Sequence, residues 1–111
     1  MARASAPTIS KRLIDLTHEA HTAYEAVGAD DASSADLRRM AAELYDRARQ
    51  ARDRTQGADD ETAMRELDQL MAFAAQAREA ARDDDGIESS TRRALADVHE
   101  ALLELVTDLE P

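Results

Sequence analysis

Apolar side chains recur along this chain at alternating steps of four and three residues, in four stretches separated by short polar runs. Steps of this size keep one face of an α-helix apolar. The last stretch is the most apolar. Leu95, Val98, Leu102, Leu105 and Leu109 form one stripe, and Leu103 and Val106 widen it beyond what a single packing partner needs. Ile9, Leu13, Leu16, Ala20, Ala23 and Val27 make the first stripe; Leu37, Ala41, Leu44, Ala48, Ala51 and Thr55, flanked by Met40 and Tyr45, make the second. Ala63, Met64, Leu67, Leu70, Met71, Ala74, Ala77 and Ala81 make the third, with Phe73 at its margin.

The punctuation between stripes sets the expected boundaries. Pro7 suits a first helical turn, and Gly28, just past Val27, reads as a helix stop. Ser33 with Asp36 three residues on has the layout of a capping box, with Ser34 as the other candidate cap. Gly57 stops the second helix, Asp59 or Asp60 caps the third, and Asp83 to Asp85 with Gly86 end it. Asp85 with Glu88, or Ser89 alone, is expected to cap the fourth. The pattern predicts an all-α protein with helices over about 8–27, 34–56, 60–83 and 88–109. Connections this short imply antiparallel neighbours, hence an up-down-up-down four-helix bundle. Residues 1–7 are expected to be a short flexible tail, with 8–111 as the single domain.

Composition sharpens this picture in two ways. Hydrophobic residues are 43% of the chain but half of them are alanine, and aromatics are only 3%. Alanine contributes little transfer free energy, yet it is the best helix former and lets helices approach closely. The formal net charge is −10, with thirteen arginines and a single lysine, Lys11, against 24 carboxylates. Such a field repels phosphates, so neither nucleic acid nor an anionic membrane is an expected partner. Abundant Ala, Arg and Asp with almost no Lys points to a GC-rich genome, and the acidity suits a salt-loving microbe. Without cysteine there are no disulfides or thiolate metal sites. No apolar run is long enough to span a membrane, and the N-terminus lacks the apolar core of a signal peptide. A cytoplasmic location is the default expectation.

Several residue sets carry candidate chemistry. His18, His21 and Glu25 stand at steps of three and four on the first helix, a spacing that lets two imidazoles and a carboxylate address one Zn²⁺. The Leu16–Ala20–Ala23 seam, however, turns them outward, so the expectation is exposed histidines and no bound metal or cofactor. A ferritin-like dinuclear site needs Glu three residues before His, and no histidine here has one. Asp30-Asp31 and Asp83 to Asp85 are expected to meet at one end of the bundle, where clustered oxygens suit Ca²⁺ or Mg²⁺. Solvated helix ends are the plainer expectation. Arg38, Arg39, Arg47, Arg49, Arg52 and Arg54 make the second helix the only basic strip, interleaved with Asp36, Glu43, Asp46 and Asp53.

Arg93 and His99 give an Arg-x5-His spacing on the fourth helix. This resembles the signature of the HEPN ribonucleases, all-helical domains in which such an Arg and His act on the RNA backbone. Ala94 follows Arg93 where that family usually has a polar residue. Glu43-x-x-Asp46 and Glu100-x-x-x-Glu104 are similar to the Mg²⁺-binding carboxylate pairs of helical nucleotide pyrophosphohydrolases. Gly-rich phosphate loops, a Ser-His-Asp set and a Cys nucleophile are all missing from the sequence. The expectation is a non-catalytic protein-interaction or self-associating module. Its partner is another protein or a second copy, met through His99, Leu103 and Val106 on the wide face of the fourth helix. A metal-binding bundle using His18 and His21 is the alternative, and a HEPN-like ribonuclease a remote one.

Overall fold

The computed structural model describes residues 6–109, with side chains from 8 to 108. Four helices follow one another: α1 (Ala6–Ala29), α2 (Ala35–Thr55), α3 (Asp60–Asp83) and α4 (Ser89–Leu109). Each packs on the next, α4 closes the ring against α1, and α1 also reaches α3 across the centre. Arg12 near the start of α1 meets Asp108 near the end of α4 at 3.3 Å, and Arg54 at the end of α2 meets Glu66 early in α3 at 3.7 Å. Neighbours are therefore antiparallel, and the molecule is an up-down-up-down four-helix bundle of 45 × 23 × 17 Å.

The stripes read from the sequence line its axis. Every position of the first two is buried, from Ile9 to Val27 and from Leu37 to Thr55. So are Ala63, Leu67, Leu70, Ala74, Ala77 and Ala81 of α3, and Leu95, Val98, Leu102 and Leu105 of α4. Met64, Met71, Phe73 and Val106 pack around the edge of this core. Leu109, the last expected stripe position, lies outside the described side chains, and residues 1–5 of the expected tail lie outside the described residues. Thr17, buried between α1 and α2, satisfies its hydroxyl by donating to the Leu13 carbonyl at 2.7 Å.

The boundaries differ from the sequence reading at three places, and at the start of α2 the structure decides between two candidate caps. Helix α1 starts at Ala6, inside the expected tail, because Pro7 has helical φ and its missing N–H falls where the helix needs none. It also runs through Gly28 to Ala29. Gly28 is an ordinary helical residue, and the chain leaves the helix at Asp30, whose carboxylate finds partners elsewhere. Ser34, not Ser33, caps α2, accepting from the Leu37 N–H at 3.0 Å, so the capping box with Asp36 does not form. Asp36 pairs instead with Arg39.

Helix α4 is capped from a distance. Its cap residue is Glu88, whose carbonyl accepts from the Arg92 N–H at 3.1 Å. Neither Asp85 nor Ser89 serves as the cap, because the Asp30 carboxylate reaches over from the α1–α2 connection. It accepts from the Glu88 N–H and the Thr91 hydroxyl, each at 2.8 Å. At the matching end of α3, Arg92 donates to the Ala81 and Asp84 carbonyls at 3.2 and 2.8 Å, beside the Asp84 N–H that also donates to Ala81 at 3.3 Å. The remaining boundaries match: of the two candidate caps Asp59 serves α3, through the Thr62 N–H at 2.7 Å, Gly57 takes φ +75° just past α2, and α3 and α4 end at Asp83 and Leu109.

Candidate functional site

Two surfaces gather the residues with chemistry to offer. The first lies on the α1–α2 side. His18 is exposed and joins nothing, while His21 is half-buried, turned toward α2, with its ring centre 4.9 Å from that of Tyr45. Tyr24 stacks on Tyr45 at 5.9 Å, and the Arg49 guanidinium sits 4.9 Å from the Tyr45 ring centre. A hydrogen bond from Arg49 to Asp46 holds that guanidinium more firmly protonated than usual. Glu25 lies 3.3 Å from His21 Nδ1. His18, His21 and Glu25 therefore do not converge, and among the described residues no group of three potential metal ligands does. His21 has gone to an aromatic neighbour and His18 to solvent.

Both tyrosines of the chain belong to this cluster, which was not foreseen from the sequence. The available signal was Tyr24 three residues after His21 on one flank, and Tyr45 one position past the α2 seam. Tyr24 is 41% exposed, and Ile14, seven residues before His21 on the same stripe, is 42% exposed.

The second surface is an open groove of about 620 Å³ between α3 and α4. Steps of four and three place Ala75, Arg78 and Arg82 along one wall and Arg92, Ala96 and His99 along the other. Arg78 reaches across, with Nη1 3.2 Å from His99 Nδ1 and Nη2 3.3 Å from a Glu100 carboxylate oxygen. An arginine can only donate, so Nδ1 accepts and the neutral ring carries its proton on Nε2. Burial, and then the positive charge of Arg78, hold His99 below the usual imidazole range.

Arg93 and His99 do line the same groove. Of the three expected interface residues, Leu103 stands out at 42% exposure, Val106 packs against the core and His99 is engaged by Arg78. The carboxylates resembling a pyrophosphohydrolase pair are held separately, Glu43 by Arg47, Asp46 by Arg49 and Glu100 by Arg78.

The acidic connections do meet, as expected, but in a different manner. Asp30 is buried, and its two oxygens take hydrogen bonds from Ala32, Glu88 and Thr91. Those donors, the Glu88 N–H foremost, keep it below the usual carboxylate range. Its lone pairs point at protein donors and not at a cation. On the α1–α4 face, Glu19 lies above the usual range, through partial burial and then the charges of Asp97, Asp15 and Glu104.

Among the described residues no helix is long and apolar enough to cross a membrane. No protein family, curated protein or solved structure matches the chain.

Proposed function

We propose that this bundle is a protein-interaction module that acts through its surface and performs no catalysis. The supporting observation is the cluster of Tyr24, Tyr45 and His21 under the Arg49 guanidinium, left open on the α1–α2 side. Tyrosine and arginine dominate the energetic centres of protein interfaces, because a rigid ring and a planar cation bury large areas at small entropic cost. This chain has few aromatic side chains, and most of its apolar residues are small alanines withdrawn into the core. Gathering both tyrosines on one side of the bundle, with Tyr24 exposed and Tyr45 partly so, leaves apolar area in water that a partner would cover. Leu103 on α4 offers a second, smaller contact. The partner is another protein or a second copy, in the cytoplasm of a high-GC or salt-adapted microbe.

The test compares the wild type with Tyr24→Ser and Leu103→Glu. Light scattering after size exclusion reads self-association, and affinity capture from the source organism reads other partners. Both variants should keep their helical circular dichroism, since neither residue is buried. Tyr24→Ser should lower affinity for whatever is bound by about tenfold or more. A wild type that stays monomeric and retains nothing beyond what Tyr24→Ser retains would remove the proposal.

A further inference from the structure

The α3–α4 groove has a composition unlike the rest of this acidic molecule. Four of the thirteen arginines, Arg78, Arg82, Arg92 and Arg93, line it together with His99. Three carboxylates line it too, but two are answered: Glu79 pairs with Arg82 and Glu100 with Arg78. Asp97 has no cationic partner among the described residues, so the lining sets four guanidinium charges against three carboxylates. Among the described residues, neither Arg92 nor Arg93 has a carboxylate partner. Arg92 is fixed in place by two carbonyls at the end of α3, which leaves its charge in the groove unneutralised.

Arg78 is steadied by a neutral imidazole as well as by Glu100, and by occupying Nδ1 it makes His99 a donor through Nε2. The groove thus combines a fixed guanidinium, an exposed one with no carboxylate partner among the described residues, and an Arg–His pair with spare N–H groups. We propose that it binds an oxyanion, a phosphate or carboxylate group held by Arg78, Arg92, Arg93 and His99. Guanidinium forks match the planar oxygen pairs of both groups, and charge-assisted hydrogen bonds are the strongest a surface can offer. The net charge of −10 does not preclude this, since at about 0.1 M salt the Debye length of roughly 10 Å confines what a bound group feels largely to the groove itself. The site is separate from the aromatic face on α1 and α2 and stands whether or not that face binds a partner.

Titrating inorganic phosphate into ¹⁵N-labelled protein, at ionic strength held constant with NaCl, tests the proposal by amide and arginine side-chain resonances. Resonances of Arg78, Arg92, Arg93 and His99 should move together along one saturating curve, with those of Arg49 and Arg52 still. Arg93→Gln, a change at an exposed residue with no structural contact, should weaken binding about threefold, and Arg78→Gln with Arg93→Gln about tenfold. Acetate forms the second arm: saturation by acetate at similar concentration assigns the site to carboxylates, and saturation by phosphate alone assigns it to phosphoryl groups. Shifts spread evenly over all arginines, a response that never saturates in either arm, or an unchanged affinity in the double variant would overturn the site.

Discussion

Asp30 stands one residue beyond α1, yet its carboxylate closes contacts with residues 58 and 61 positions away. It accepts from the Glu88 N–H at the start of α4 and from the buried Thr91 hydroxyl, while its own carbonyl accepts from the Ser33 N–H at 3.0 Å and from Arg38. Asp30 thereby joins two connections that the helices alone would leave apart. Its folded value lies below the ordinary 3.8, so on acidification the unfolded chain takes up the proton first. The stability it contributes is complete above about pH 4 and is lost as pH falls through the folded value. His99 acts earlier: its folded value lies below 6.5, so stability begins to fall as pH drops under about 6.5 and the unfolded imidazole protonates first. Asp30→Asn should lower the melting temperature near pH 7 by roughly 5–10 °C, because the amide turns a donor toward donors. That gap should shrink as pH falls through the folded value, where the wild-type carboxylate itself takes up a proton. Melting curves across pH check both statements, and a gap of constant size would show that the charge of Asp30 is irrelevant.

At the level of single helices, the two glycines Gly28 and Gly57 look alike in sequence, each one or two residues past the end of a stripe, after Val27 and Thr55. They are not alike in conformation. Gly57 takes φ +75°, where a side chain is strained, while Gly28 sits inside α1 with nothing within 4 Å of where a Cβ would stand. Gly28→Ala should therefore stabilise the protein by about 0.5–1 kcal/mol, by removing backbone freedom from the unfolded chain. Gly57→Ala should destabilise it by about 1–2 kcal/mol. Urea unfolding of the pair decides the matter, and equal effects would refute the distinction. The same comparison shows how legible the elements were. Stripe positions depend on an 11–18-residue window, so Leu13, Leu44, Leu67 and Leu102 were readable as core directly. Helix ends depend on which of several nearby polar groups finds the better partner. Asp59 had no distant competitor and was readable, whereas Gly28 was overruled by Asp30, and Ser89 as the α4 cap by the Asp30 carboxylate.

For the whole molecule, charge is the dominant variable. Pairs within helices (Arg39 with Asp36, Arg47 with Glu43, Arg49 with Asp46, Arg52 with Asp53, Arg65 with Glu61, Arg82 with Glu79) and between helices (Arg12 with Asp108, Arg54 with Glu66, Arg78 with Glu100) use up most arginines. Exposed pairs of this kind contribute only about 0.2–1 kcal/mol each. The carboxylates in excess remain, and on the α1–α4 face they crowd Glu19, which already lies above its ordinary range. Raising KCl from about 0.1 to about 1 M shortens the Debye length from roughly 10 to 3 Å and should relieve this repulsion more than it weakens the pairs. The melting temperature should climb by about 5 °C or more over that range. A flat profile would count against adaptation to salt.

Periodicity was enough for four helices, their order and the buried stripes, and the short connections for antiparallel packing; buried Thr17, Asp30, Ser33, Ile87 and Thr91 lay on no stripe. The apolar step is written into short windows and burial follows from it. The candidate surfaces needed residues far apart in the chain to come within a few ångströms. Tyr24 meets Tyr45, Arg78 meets His99 and Asp30 meets Thr91 only once the helices have docked, and the rotation of each helix about its axis then decides which polar groups face one another. A sequence window carries no information on that rotation to within one residue of a partner helix, because side chains on the flank of a stripe can settle toward a neighbour or toward water. His18 and His21, three positions apart with one exposed and one packed at a tilt against Tyr45, differ for that reason alone.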